Sequence, residues 1–192
     1  MNPRLLFLAA LILLHGSASA STAEAEKRLQ TAVNEVLAAA DAAPSRGVLL
    51  EYLNPILQRH MSFDAMTRRA VGPGWRQFTD DQKKKSTQLF ATLIIRTYSS
   101  KFTPGEHPVI KFNPASAPAP GRVEVPTTLQ YQGSHYSVTY RLEEAEGWRV
   151  TDVVIEGVSL VANYRAQFDE QFKKGGAGAV VGALSQSVDH QK

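Results

Sequence analysis

The chain of 192 residues has the composition of an ordinary globular protein, with 43% hydrophobic and 20% charged residues. Its 21 basic and 18 acidic residues leave a net charge of only +3, and no aromatic residues interleave the short lysine runs at 83–85 and 173–174, so the charge pattern does not support nucleic-acid binding. The absence of cysteine excludes disulfides and a lipid attached to a processed cysteine.

The N-terminus has the layout of a secretion signal. A basic start at residues 1–4 precedes an apolar run over 5–14, which is too short to span a bilayer core of roughly 30 Å. Ala18-Ser19-Ala20 then matches the small-x-small pattern that signal peptidase accepts. We therefore predict a signal peptide over 1–20, cleavage after Ala20 and a mature chain that starts at Ser21 and is free in solution. The alternative is an uncleaved N-terminal anchor.

The first half of the mature chain carries helical signals. Pro44 suits the first turn of a helix, Ser62 suits an N-cap, and Gly72 suits a helix end. The segment from Thr79 to Gln82 matches a capping box. The predicted helices cover residues 22–40, 44 to about 55, 63–71 and 80 to about 102.

The period then changes to the alternation that is typical of strands. Predicted strands cover residues 109–112, 123–131, 136–142 and 148–156. A Pro/Ala-rich loop is expected over 113–121, and turns are expected at Gln132-Gly133 and over 144–147. The last strand is apolar on both phases, so it is either central in the sheet or bulged near Asp152.

A final helical region starts at Ser159 and has apolar residues at intervals of four. Gly175, Gly176 and Gly178 are expected to break it before a short helix over 179–188. Helices, an antiparallel meander and a closing helix predict an α+β fold, and no linker divides residues 21–192, so we expect one domain.

The stretch over 152–168, DVVIEGVSLVANYRAQF, closely resembles the signature of the MlaC family of periplasmic phospholipid-binding proteins. These proteins are also called toluene-tolerance or organic-solvent-tolerance auxiliary proteins. The resemblance extends in order over nearly the whole mature chain. Its looser matches are Phe63, Asp64, Met66, Gly72, Trp75, Gln82, Phe90, Leu93 and Tyr98, followed by Gly175, Gly176, Val180, Val181 and Leu184.

The resemblance implies an NTF2-like cone, in which a curved antiparallel sheet is wrapped by helices, with extra N-terminal helices and a deep apolar cavity. It also implies a periplasmic carrier that maintains outer-membrane lipid asymmetry, with a bound phospholipid as cargo and no other cofactor. The implied partners are an outer-membrane lipoprotein complex and an inner-membrane ABC transporter complex with its substrate-binding subunit. A hopanoid-associated branch has similar motifs, so another amphipathic lipid is the alternative cargo. Segments 103–107 and 113–121 depart from the family pattern.

We predict the cavity lining from strand phase and helix position. A packed core would contain the same residue types, so the family resemblance alone favours a cavity. Asn163 and Arg165 are candidates for headgroup contact or, alternatively, for pinning the strand–helix junction. The predicted lining residues are Val125, Leu129, Tyr136, Val138 and Tyr140 from the strands, and Trp75, Leu93, Tyr98, Leu160, Tyr164 and Phe168 from the helices.

The main alternative is an enzyme, because cone folds also host isomerases and dehydratases with a general base in the cavity. Asp152 is in phase with Val150 and so could face inward, although a hydrogen-bonded structural acid is the default interpretation. His60 and His107 lack ligand partners at metal spacing, and His135 lies on the opposite phase from Tyr136. There is no HExxH, GxSxG or phosphate loop, so neither a catalytic nor a metal site is predicted. A third class is a structural adaptor with a filled core.

Overall fold

The computed structural model describes residues 6–100, 103–106 and 108–191, with side chains described from residue 21 onward. Within these residues, no helix combines the length and apolarity needed to cross a bilayer. The helices are α1 Leu6–Ala42, α2 Arg46–His60, α3 Phe63–Val71, α4 Asp80–Ser99 and α5 Leu160–Asp189. The strands are β1 Val109–Phe112, β2 Ser116–Ala119, β3 Arg122–Tyr131, β4 Ser134–Ala145, β5 Gly147–Ile155 and β6 Val158–Ser159.

Helix α1 contains the predicted helix over 22–40 and begins earlier, at Leu6. The predicted signal peptide therefore lies partly outside the described residues, at 1–5, and partly in the first turns of α1. Its cleavage stays a prediction.

Helix α2 differs from the prediction at both ends. Ser45 is its N-cap and accepts a hydrogen bond from Val48 N, so Pro44 precedes the helix instead of lying in its first turn. The helix then continues through Pro55 to His60. An apolar stripe with a spacing of four residues crosses Pro55 and packs on both sides of it, which outweighs the hydrogen bond that proline removes. The stripe consists of Leu49, Leu53 and Leu57.

The two predicted caps of α3 and α4 have different outcomes. Ser62 lies at the N-cap position of α3, but its side chain makes no capping hydrogen bond; its backbone N–H donates to Val150 O at 2.8 Å and ties α3 to the sheet. The capping box of α4 is confirmed, with Gln82 N donating to Thr79 Oγ1 and Thr79 N donating to Gln82 Oε1. Helix α4 ends at Ser99, and the predicted end at Phe102 lies outside the described residues.

The strands form one antiparallel sheet in the order β1-β3-β4-β5-β6, with β2 paired to one part of β3. The predicted turn at Gln132-Gly133 is confirmed, with positive φ at both residues as a type I′ hairpin requires. The predicted loop over 113–121 is corrected, because strand β2 lies within it as a short edge strand. An edge position tolerates its proline, since no neighbouring strand needs that missing N–H. The α+β prediction is confirmed.

A β-bulge in β5 decides which side chains face the helices. Arg141 of β4 pairs with Asp152, but the next residue, Leu142, pairs with Val150, so Thr151 is the extra residue. This confirms the predicted bulge near Asp152. Because an extra residue reverses the alternation, Val153 takes the face that Val150 has before the bulge.

The closing helix α5 packs its aromatic face against α4. Phe90 is fully buried, and its ring lies 5.0 Å from that of Tyr164 and 5.6 Å from that of Phe168, both edge-on. The predicted glycine break is confirmed by non-helical dihedral angles at Gly175 and Gly176.

Arg165 of α5 also pins the end of α3. Its Nη1 donates to Arg69 O at 3.3 Å, and its guanidinium lies against Gly72, whose φ is +68°. A Cβ atom on Gly72 would lie 2.6 Å from Arg165 Nη1, so a side chain at this position would displace the guanidinium.

We predict that Gly72→Ala lowers the free energy of unfolding by more than Gly121→Ala does. Gly121 has nearly the same φ, +67°, but no described atom within 4 Å of a Cβ, so its substitution carries a backbone penalty of about 1–2 kcal/mol without a clash. The backbone penalty at Gly72 is at least as large, because its ψ of −141° lies in a region that is essentially restricted to glycine. Gly72→Ala should lose about 1 kcal/mol more, because the guanidinium must leave Arg69 O. Urea unfolding of both variants measures the difference, and equal losses would contradict the pinning role of Arg165.

Candidate functional site

A cavity of about 260 Å³ lies between the sheet and helices α1, α2 and α4, with the first residue of α5 also in its wall. Twenty of its 25 lining residues have wholly apolar side chains. A cavity of this kind suits an apolar ligand, since polar ligands would leave their hydrogen-bonding groups unpaired at such a wall.

The helical walls follow directly from the apolar period of the sequence. Helix α1 contributes residues at spacings of three and four, which form one stripe along its inner face. Helix α2 adds the stripe across Pro55, and α4 adds Ile94, Ile95 and Tyr98. The α1 stripe consists of Leu29, Ala32, Val33, Val36, Leu37 and Ala40.

The sheet wall depends on the bulge. Leu129 of β3 faces the cavity together with Val138 and Tyr140 of β4. In β5, Val150 lines the cavity before the bulge, and Val153 and Ile155 line it afterwards. Without the extra residue, the second half of β5 would present its other face, which carries Asp152.

Glu106 is the residue of the described wall that carries a carboxylate group. It accepts hydrogen bonds from the Tyr131 hydroxyl and from Gln132 Nε2, the latter at 2.7 Å. The hydrogen bond from Tyr131, followed by that from Gln132, lowers the pKa of this carboxyl below its usual value, because both donors stabilise the charged form.

His60 is the nitrogen-bearing side chain of the described wall. It is 3% exposed, and its Nε2 lies 3.1 Å from Glu35 Oε2, which also accepts from Arg59 Nη2 at 2.7 Å. Its Nδ1 has no hydrogen-bond partner within the described part of the chain and is sealed from solvent. The contact with Glu35 therefore fixes the orientation of the His60 ring.

The family model described as MlaC protein matches residues 27–186. The chain belongs to the MlaC family. No curated protein matches it. Among solved structures it is similar to the phospholipid-binding protein from Ralstonia solanacearum in complex with a phospholipid, with a TM-score of 0.81 and 27% sequence identity, over 88% of this chain and 98% of that one.

The structure of this MlaC chain places five of the eleven predicted lining residues on the cavity wall: Tyr98, Leu129, Val138, Tyr140 and Leu160. Sequence reasoning missed the inner faces of α1 and α2 and the whole β5 contribution. The spacing of apolar residues in α1 predicted that one face of the helix is buried. Such a spacing does not show whether that face packs into a filled core or lines a cavity. The phase of β5 was misread because the position of the extra residue was not fixed.

The other six predicted residues lie away from the cavity wall. Val125 is fully buried and Leu93 is 5% exposed, both within the core cluster that contains Phe90. Tyr136 faces the same way as Leu129, its partner in β3, but lies near the strand end and is 39% exposed. The remaining three belong to aromatic contacts among α4, α5 and the 3₁₀ segment Gly72–Gln77: Trp75, Tyr164 and Phe168. Their role in lipid binding stays a prediction.

Asp152 lies on the face opposite the cavity, which corrects the inward orientation of the enzyme alternative. Its Oδ1 accepts from Val153 N at 2.9 Å and from Val161 N at 3.1 Å. Its Oδ2 accepts from Ser159 Oγ at 2.6 Å and from Arg141 Nη1 at 3.1 Å. Four donors from β4, β5 and the start of α5 therefore converge on one buried carboxylate.

The other polar candidates also lie outside the cavity wall. Arg165 bonds to Arg69 O and Asp169, which agrees with a pinning role instead of headgroup contact. Asn163 and His135 are exposed, and His107 lies outside the described residues. Within the described residues, no cluster of three or more potential ligands could hold a metal ion.

We predict that Asp152→Ala lowers the free energy of unfolding by about 2–4 kcal/mol, because it leaves buried donors unpaired. Glu124→Ala is the matched control: Glu124 also accepts from Arg141, at 2.9 Å, but in an exposed pair. That pair should contribute less than about 1 kcal/mol. Chemical unfolding compares the two variants. A small loss for Asp152→Ala, with a catalysed reaction abolished, would restore the enzyme interpretation.

Proposed function

We propose that this MlaC protein is a periplasmic carrier that holds a phospholipid by its acyl chains. We further propose that it exchanges lipid with an outer-membrane lipoprotein complex and with an inner-membrane ABC transporter complex through its substrate-binding subunit, and so maintains outer-membrane lipid asymmetry. The observation that carries the proposal is the apolar cavity, which lies in a fold similar to that of a phospholipid-binding protein.

The energetics favour a carrier of this kind. Each methylene that a lipid chain buries contributes about 0.8 kcal/mol, so full burial of the roughly thirty methylenes of a diacyl lipid sets an upper bound of roughly 24 kcal/mol before the costs of binding. Escape of the bound lipid into water is then slow. Release at a membrane therefore needs a partner that opens the cavity or offers an equally apolar path.

The identity of the cargo is tested by extraction. Protein purified from the periplasm is extracted with organic solvent, and the extract is analysed by mass spectrometry. We expect phospholipid in about equimolar amount. A hopanoid or another amphipathic lipid would replace the proposed cargo, and an empty protein that turns over a substrate would favour the enzyme.

The proposed location depends on the processing of the N-terminus. We predict that the exported protein begins at Ser21, because Ala18-Ser19-Ala20 follows the apolar run. The intact mass of periplasmic material measures this directly. A membrane-bound species that retains residues 1–20 would contradict the proposed location.

The contribution of the cavity wall is tested by placing a charge in it. We predict that Leu129→Asp lowers lipid occupancy by at least about tenfold, because a carboxylate next to acyl chains is poorly solvated. Gln130→Asp is the matched control, since Gln130 is the next residue of β3 and is exposed on the other face. Native mass spectrometry measures occupancy, and melting temperature measures folding.

The two readouts separate a cavity from a packed core. A cavity wall admits water around the new charge, so Leu129→Asp should remain folded but empty. If both variants keep their lipid, the acyl chains do not run along this wall. If Leu129→Asp unfolds and the wild-type protein contains no lipid, the site is ordinary core.

A further inference from the structure

Two hydroxyl groups of the cavity wall have no hydrogen-bond partner among the described residues. Tyr98 of α4 and Tyr140 of β4 both line the cavity, and neither hydroxyl makes a hydrogen bond within the residues that the structure describes. Of the other polar side chains of this wall, Ser99 Oγ donates to Arg96 O, and Glu106 accepts from two side chains. His60 Nε2 bonds to Glu35, and its unpartnered Nδ1 is sealed from any ligand. The two tyrosines therefore form an unpaired set of donors.

Both hydroxyls remain accessible to a ligand. The two side chains are half-buried, and neither hydroxyl is among the polar atoms that are sealed from contact. Burial nevertheless raises the pKa of Tyr140 to about 12 and also raises the pKa of Tyr98. Both residues line the cavity, and both remain protonated donors at neutral pH.

A ligand made only of hydrocarbon would exclude water from the two tyrosine hydroxyls and would offer them no hydrogen-bond acceptor. An unpaired buried hydroxyl is destabilising by about 1–3 kcal/mol, so a ligand that supplies acceptors is favoured over one that does not. In a diacyl glycerolipid, the acceptors closest to the acyl chains are the ester carbonyl oxygens. They match the tyrosine hydroxyls in chemistry, since a hydroxyl donates and a carbonyl oxygen accepts.

We propose that Tyr98 and Tyr140 donate hydrogen bonds to the acyl ester carbonyls of the cargo and so select ester-linked over ether-linked lipids. The proposal rests on the proposed function and adds the position of the lipid. Tyr140 lies four residues, about 13 Å, along β4 from the exposed Tyr136. The glycerol backbone is therefore drawn inside the cavity, and only the headgroup remains outside.

The test is a competition between two phosphatidylethanolamines with identical chains, one with two ester linkages and one with two ether linkages. Delipidated protein is equilibrated with vesicles that contain both in equal amounts, and native mass spectrometry gives the bound ratio. Each hydrogen bond should contribute roughly a 2- to 12-fold preference. Wild-type protein should prefer the ester lipid, Tyr98→Phe and Tyr140→Phe should each reduce that preference, and the double variant should abolish it.

Tyr52→Phe is the matched control, because it removes the hydroxyl of an exposed tyrosine on α2 that lies outside the cavity wall, and it should keep the wild-type ratio. Equal binding of both lipids by the wild-type protein would overturn the proposal, since water would then satisfy the hydroxyls. An unchanged preference in the double variant would overturn it as well. Binding of neither lipid would instead reject the proposed function. The wild-type ratio alone decides the case if a variant does not fold.

Discussion

The extra residue Thr151 in β5 is the constraint on which the cavity depends. It reverses the alternation of the strand, so that Val153 and Ile155 join the cavity wall while Asp152 turns to the opposite face. There the carboxylate binds Val161 N at the start of α5 and fixes the helix that closes the fold. One local irregularity therefore builds the apolar wall and keeps a charge out of it. The segment that resembles the family signature contains both Asp152 and the start of α5. In physical terms, this segment forms the junction between β5 and the closing helix.

An apolar cavity lowers the free energy of unfolding of a protein. The side chains that line 260 Å³ of apolar space lack the contacts that a filled core would give them, and this lowers the stability of the fold. The fold offsets this elsewhere, in the aromatic contacts of Phe90 and in the ties made by Asp152 and Arg165. Cargo that fills the space restores the lost packing, so binding and folding stability are linked in this protein.

The sequence predicted best what depends on neighbouring residues. The capping box of Thr79 and the turn at Gln132-Gly133 are local geometries, and both are where the residues indicated. Helix α2 continued through Pro55 because tertiary packing of its leucines outweighed a local rule. The cavity itself was beyond sequence reasoning, since Val125 and Leu129 have the same strand phase but only Leu129 faces open space. A wall and a core need the same residue types, and only the packing of other elements distinguishes them.

The polar groups of the described wall are suited to holding a ligand instead of transforming it. A general base is most effective with a pKa near the working pH, but Tyr131 and Gln132 hold the pKa of Glu106 below its usual range. His60 is anchored by Glu35, and the buried carboxylate of Asp152 faces away with its own donors. The groups that remain are two tyrosine hydroxyls whose raised pKa keeps them protonated. Such groups donate hydrogen bonds without accepting a substrate proton, which favours a binding protein over an acid–base enzyme.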